Sequence, residues 1–133
     1  MKHKIGFNAL ERSSAQRKAL KRGLVTSLFK YERIETTKAK AKEAQRLAEK
    51  MITRAKVDSV HNRRLTSAVL YDEAVVNKLF TEIAPLFADV HGGYTHIIKT
   101  SNRLGDSAEM VILELTKKVE KKADKKAAKK EDK

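Results

Sequence analysis

The stretch TKAKAKEAQRLAEKMITRAK, residues 37–56, carries the clearest structural signal in this chain of 133 residues. Its small and apolar residues recur at intervals of three and four, the spacing of one face of an α-helix. They are Ala41, Ala44, Leu47, Ala48, Met51, Ile52 and Ala55. We therefore predict a helix that Thr37 caps, that ends near Val57 and that packs this face on a core.

A second helix precedes this one, and its composition changes along its length. Ser13 or Ser14 provides an N-cap, and the apolar spacing predicts a helix that reaches about Lys30. Its first half is too rich in lysine and arginine to be buried, whereas its second half is apolar. Residues 31–36 alternate and include β-branched side chains, which predicts a short strand between the two helices.

Two further helices and two strands are predicted on the C-terminal side. Ser59 caps one helix, and Asp72 caps another whose apolar stripe should kink or end at Pro85, because proline lacks a backbone donor. Two glycines at 92 and 93 then break the chain. Residues 94–100 and 110–115 are rich in Ile, Val, Leu, Tyr and Thr, and we predict that they pair as antiparallel strands.

The order of elements predicts the fold class. A helix, a strand, three helices and two strands indicate an α+β fold, with the helices packed on one face of a small three-stranded mixed sheet. Residues 1–12 are predicted to be a basic extended arm and residues 13–116 a globular domain. Residues 117–133 form a lysine-rich extension that has almost nothing apolar to bury, so we expect it to be disordered in isolation.

The positive charge is concentrated at the two ends of the chain. The formal net charge of +13 divides into +9 over residues 1–46, −1 over residues 47–116 and +5 over residues 117–133. A nearly neutral body with basic ends indicates a polyanionic partner, most commonly nucleic acid. The residues predicted from this pattern to contact phosphates are Lys2, Lys4, Arg12, Arg17, Lys18, Lys21, Arg22, Lys38, Lys40, Lys42, Arg63 and Arg64.

The segment 12–22 shows the same excess of positive charge on a local scale, because it holds five basic residues and no acidic one. Like charges three or four residues apart on a helix cost a few tenths of a kcal/mol each, in the same range as the gain from opposite charges. We interpret the uncompensated repulsion as a sign that an external anion relieves it.

Other classes of function find little support in the sequence. No cysteine is available for disulfide or thiol chemistry, and no apolar run reaches the roughly 18 residues of a membrane span, so we expect a cytoplasmic protein without a membrane partner. The two glycines lack the Gly-Lys-Ser/Thr ending of a phosphate-binding loop, and the four histidines lack metal-ligand spacing. We predict no enzyme activity, cofactor, metal or small-molecule substrate.

The aromatic residues bear on which nucleic acid is bound. They make up 5% of the chain and fall mostly in apolar stripes, which argues against a platform for stacking single-stranded bases. Tyr94 is the one candidate for stacking. Binding through backbone and shape fits folded RNA, and it also fits an architectural DNA-binding protein.

The segments 34–42 and 49–56, IETTKAKAK and EKMITRAK, resemble the signature of the bacterial large-subunit ribosomal protein L17 family. The resemblance extends to the opening residues from His3 to Leu20, to NRRL at 62–65, to GGYT at 92–95 and to RLGD at 103–106. The chain differs from the usual family pattern in two positions. Gln16 replaces a histidine, and His96 replaces an arginine.

The resemblance implies a non-catalytic component of the large ribosomal subunit that binds large-subunit ribosomal RNA near the peptide exit region, beside other ribosomal proteins. His3 and Arg103 join the predicted RNA contacts on this ground. An architectural DNA-binding protein is the alternative, and an RNA-processing enzyme is a weaker one.

Overall fold

The computed structural model describes residues 6–119. The predicted contacts at Lys2, His3 and Lys4 lie outside the described residues, and so does the predicted extension beyond its first three residues.

The N-terminal half of the described chain is built from two 18-residue helices joined by a strand. Helix α1 is Ser14–Tyr31, strand β1 is Arg33–Thr37 and helix α2 is Lys38–Ala55. Glu32 lies in the left-handed region (φ 64°) and donates its N–H to the carbonyl of Leu28, which closes α1 and turns the chain into β1. Thr37 occupies the N-cap position of α2 as predicted, but its side chain makes no capping hydrogen bond.

The next helices begin where the sequence predicts. The side chain of Ser59 caps α3, Val60–Ser67, and that of Asp72 caps α4, Glu73–Lys78. The helical path then continues through a π-helical turn, Leu79–Ile83, into a short helix α5, Ala84–Leu86. The disturbance expected near Pro85 therefore takes the form of a widened turn just before the proline and a helix end just after it.

The sheet contains β1, β2 (Thr95–Asn102) and β3 (Glu109–Leu115) in the order β1-β3-β2. The predicted α+β fold is confirmed, but the prediction of a mixed sheet is wrong because both pairings are antiparallel. Strands β1 and β2 run in the same direction, yet they do not touch. The last strand lies between them and runs opposite to both.

The helices lie on one face of the sheet, as predicted. Helix α2 packs against all three strands, and its predicted apolar face is buried except at Leu47, which is partly buried. From the sheet, Val111, Leu113 and Leu115 point into the same core and are fully buried. The opposite face leaves Ile98 41% exposed. Within residues 6–119, no helix has the length and apolar character needed to cross a membrane.

The alternation along β3 generates a stability prediction. Leu113→Ala should lower the free energy of unfolding by about 2 to 5 kcal/mol, because it leaves a cavity in a fully buried site. Ile112→Ala, one residue away on the half-buried face, should cost clearly less. Urea unfolding of both variants measures the difference, and equal losses would contradict the assignment of the two faces.

Candidate nucleic-acid interface

The described part of the arm, residues 6–12, is not extended throughout. Leu10 and Glu11 lie in the left-handed region, with φ of 55° and 52°. The N–H of Arg12 donates to the carbonyl of Ala9 at 3.2 Å, which closes a turn. The arm therefore reverses direction just before α1 begins.

Phe7 attaches the arm to the start of α1. The guanidinium of Arg17 lies 4.5 Å from the centre of the Phe7 ring, a geometry that contributes about 0.5 to 1 kcal/mol at an exposed site. The ring, Lys18 and Lys21 line a shallow groove of about 240 Å³ together with Arg17. Three cationic side chains are thus grouped around one aromatic ring.

Helix α1 begins with a complete capping box. The side chain of Ser13 accepts from the N–H of Gln16, and the side chain of Gln16 accepts from the N–H of Ser13. Gln16, one of the two departures from the family pattern, therefore has a structural role at the helix start. The first turn contains no acidic residue, so the positive end of the helix dipole adds to the surrounding basic side chains.

Glu43 connects the arm, α1 and α2. This residue is 2% exposed, and its Oε1 accepts from the backbone N–H of Asn8 at 2.9 Å and from Asn8 Nδ2 at 3.4 Å. Lys21 Nζ lies 3.9 Å from Glu43 Oε2, and Arg46 Nη1 lies 3.6 Å from Oε1. Arg46 also donates to the carbonyl of Gly6 at 2.6 Å. One buried carboxylate therefore holds three basic elements together.

Four of the predicted contact residues have strong partners inside the chain. Arg22 donates to the carbonyl of Val69 at 2.7 Å, and Lys38 donates to Glu109 at 2.8 Å. Arg63 donates to both carboxylate oxygens of Asp58, at 2.6 and 2.7 Å. Arg103 donates to both carboxylate oxygens of Asp106, at 3.0 and 2.6 Å. Arg22 and Arg63 also lie over the rings of Tyr71 and Phe80. The donors named here are occupied by acceptors of the chain itself, although the Lys38, Arg63 and Arg103 pairs lie at the surface.

Apart from Lys21, which lies beside Glu43, the other predicted lysines and arginines within residues 6–119 keep their charged groups available. Among residues 6–119, no side-chain hydrogen bond or salt bridge occupies the ammonium or guanidinium groups of Lys18, Lys40, Lys42 and Arg64. Arg12 and Arg17 donate only to backbone carbonyls, those of Leu10 and Arg12. These six side chains retain donors for an external anion.

Tyr94 does not fit the predicted stacking role, and this prediction is corrected. The residue is 2% exposed, and its ring packs edge-on against Phe87 with the ring centres 5.3 Å apart. Lys56 Nζ lies 4.8 Å from the centre of the same ring. Hydrogen bonds with Lys56 and Thr53 lower the pKa of the Tyr94 hydroxyl. A buried ring cannot present its face to a base.

His91 and His96, which flank the two glycines in the sequence, do not form a metal site in the described part of the chain. His96 Nε2 lies 3.0 Å from Glu114 Oε1 on the open face of the sheet, while His91 is exposed. In the part of the chain that the structure describes, no group of three or more His, Asp or Glu side chains could hold a metal ion.

A comparison with known proteins identifies the family. The family model described as ribosomal protein L17 matches residues 20–116. The chain belongs to this family. A protein named large ribosomal subunit protein bL17 from Borrelia turicatae is 58% identical over 118 residues, which cover 89% of this chain and 95% of that protein.

Two relatives of the same name come from Treponema. The protein from Treponema denticola is 56% identical over 115 residues, which cover 86% of this chain and 64% of that protein. The protein from Treponema pallidum is 54% identical over 115 residues, with coverages of 86% and 70%. The matches to these relatives therefore cover most of the length of this L17 family member.

Sequence reasoning misses two residues of this surface. Glu43 looks like an ordinary acid in a basic helix, and only the tertiary structure shows that it is buried beside Asn8. Arg46 continues a spacing of four residues from Lys38 through Lys42, and this spacing could have been noticed in the sequence.

Removing the Glu43 carboxylate should release the arm. Glu43→Ala should lower the free energy of unfolding by about 1 to 3 kcal/mol, because a buried, charge-assisted group of hydrogen bonds is lost. It should also speed hydrogen exchange at the Asn8 amide, measured by NMR. Glu43→Gln keeps an acceptor oxygen and serves as the control for charge alone. An Asn8 amide as protected in Glu43→Ala as in the wild type would refute this role.

The turn between β2 and β3 should depend on pH. The hydrogen bonds from Arg103 and the N–H of Ala108 lower the pKa of Asp106 from its ordinary 3.8 to about 2. The stabilisation is therefore present above about pH 4 and is lost as the pH falls towards 2. An NMR titration of the Ala108 amide should show a midpoint near 2, and Arg103→Gln should raise it. A wild-type midpoint near 3.8 in the folded protein would contradict the bidentate pair.

Proposed function

We propose that this protein is a structural, non-catalytic component of the large ribosomal subunit that binds large-subunit ribosomal RNA through its arm and the first half of α1. Membership of the ribosomal protein L17 family supports the structural role in that subunit. Such a component works in the cytoplasm within the ribosome, with RNA and neighbouring ribosomal proteins as partners. The proposed position near the peptide exit region rests on the resemblance to the family alone.

The RNA-binding part of the proposal is supported by the available cationic side chains at the start of α1. Arg12, Arg17 and Lys18 lie within seven consecutive residues, and no carboxylate in the described part of the chain pairs with them. Arginine matches two phosphate oxygens at once, and lysine follows a phosphate as a movable charge. An RNA backbone would therefore relieve the repulsion that the isolated protein tolerates.

Around this group the protein supplies a rigid support. Phe7 and Glu43 hold the arm against α1 and α2, so the cations need not be ordered from a flexible chain when RNA binds. Preorganisation of this kind lowers the entropic cost of association. The Arg22, Arg63 and Arg103 contacts inside the chain belong to the support rather than to the proposed contact surface.

The salt dependence of RNA binding tests this proposal. Each neutralised phosphate contributes roughly 0.7 to 0.9 to the slope of log K against log salt, because counterions are released. The triple variant Arg12→Gln, Arg17→Gln, Lys18→Gln should therefore reduce the slope for large-subunit ribosomal RNA by about 2 to 3. Filter binding over a salt series measures it, with circular dichroism to verify the fold.

A control variant with the same change in charge is available elsewhere on the chain. Lys30→Gln, Lys99→Gln, Lys117→Gln removes three exposed cations from the end of α1, from β2 and from the segment after β3. Its slope should match that of the wild type. Equal losses in the two variants, or tighter binding to duplex DNA than to ribosomal RNA, would overturn the proposal.

A further inference from the structure

A second basic surface lies on α2, and no RNA contact has been assigned to its outer half. Arg46, Lys50 and Arg54 follow one another at intervals of four residues, so they lie along one side of the helix over about 12 Å. With His91 and Gly92 they line an open groove of about 720 Å³. The groove runs between the C-terminal half of α2 and the loop that precedes β2.

The charge of this groove is unbalanced. Among residues 6–119, no salt bridge is formed by Lys50 or Arg54, and the Arg46 side chain is 62% exposed beside the buried Glu43. Glu49 is the acid in the groove wall, and its Oε1 accepts a hydrogen bond from the Thr95 hydroxyl at 3.2 Å. In the described lining the cations therefore outnumber the carboxylates, and Lys50 and Arg54 have no side-chain partner within residues 6–119 that would account for them.

The opposite wall contains His91 and the bare backbone of Gly92, which Gly93 follows. Gly92 and Gly93 have φ of 157° and 64°, and a Cβ placed on either would meet no atom within 4 Å. Glycine at φ near 64° is there for the turn, and the absence of side chains lets a bulky ligand approach the loop closely. The Gly-Gly pair of the sequence thus faces solvent next to a row of cations.

The geometry selects a particular kind of anion. The aromatic side chain in the lining, Tyr94, is buried, so residues 6–119 offer a base no exposed ring in this groove. An open groove with several cations spaced along it suits a chain of phosphates rather than a single small anion. Arg46 donates to the carbonyl of Gly6, which makes the groove continuous with the surface formed by the arm and α1.

We infer that the groove between α2 and the Gly92–Gly93 loop binds the sugar–phosphate backbone of ribosomal RNA. Lys50 and Arg54 contact phosphates, and the glycine loop accommodates the sugar side of the strand. This inference rests on the proposed function, and it extends the RNA-binding surface from the arm along the length of α2.

The salt slope tests the groove separately from the arm. Lys50→Gln, Arg54→Gln leaves Arg46 to hold the arm, and it should reduce the slope for large-subunit ribosomal RNA by about 1.4 to 1.8. The matched control, Lys30→Gln, Lys99→Gln, should leave the slope unchanged. If the wild type does not bind the RNA, the proposed function and the groove both fail. If the arm variant loses slope while the groove variant matches its control, the groove alone fails.

Cross-linking identifies the occupant in the assembled subunit. Because the chain contains no cysteine, His91→Cys provides a single attachment point for a short photoactivatable cross-linker at the groove. In reconstituted large subunits, position 91 should cross-link to ribosomal RNA, and the yield should fall when Lys50 and Arg54 are also replaced by glutamine. Cross-links to protein instead of RNA, or none, would overturn the inference.

Discussion

The buried carboxylate of Glu43 is the contact on which the basic surface depends. Arm, α1 and α2 all carry positive charge and would repel one another if they met without an acid between them. Glu43 meets all three, through Asn8, Lys21 and Arg46. Burial of a carboxylate is costly unless donors replace its water, and here a backbone N–H, an amide and two cations do so. The buried negative charge of Glu43 therefore holds together the three segments that form the exposed basic surface.

The cations of this protein divide into two groups with different tasks. Arg22, Arg63 and Arg103 place their planar guanidinium groups against carbonyls, carboxylates and aromatic rings of the chain itself. Lys18 and Lys42 are exposed and have no such partners within the described residues. Arginine can satisfy two fixed acceptors at once, which makes it suited to internal cross-links. The number of basic residues is therefore larger than the number whose charged groups lack a partner within the described residues.

The sequence predicts most of the elements but not their partners. The periodicity of α2 and the caps at Ser13, Ser59 and Asp72 depend on residues close together in the sequence, so they can be predicted without knowledge of the tertiary structure. The direction of strand pairing is not local, because it depends on whether β1 meets β2 or β3. The burial of Tyr94 is not a local property either. An aromatic residue next to two glycines suggests an exposed loop position, and only the tertiary structure shows that the core covers it. Among the site residues, the available cations follow from charge, whereas Glu43 requires the tertiary contact.

The sheet topology links the two ends of the chain. The residues of the proposed RNA surface come almost entirely from the N-terminal half, yet α2 packs on Val111, Leu113 and Leu115 of the last strand. Strand β1 also pairs only with β3 among the described strands, so the sheet under α2 is incomplete until residues 109–115 are in place. Pairing between segments so far apart in sequence carries a loop-closure cost, which slows folding. The geometry of the N-terminal surface is thus determined by a strand that lies some sixty residues further along the chain than α2.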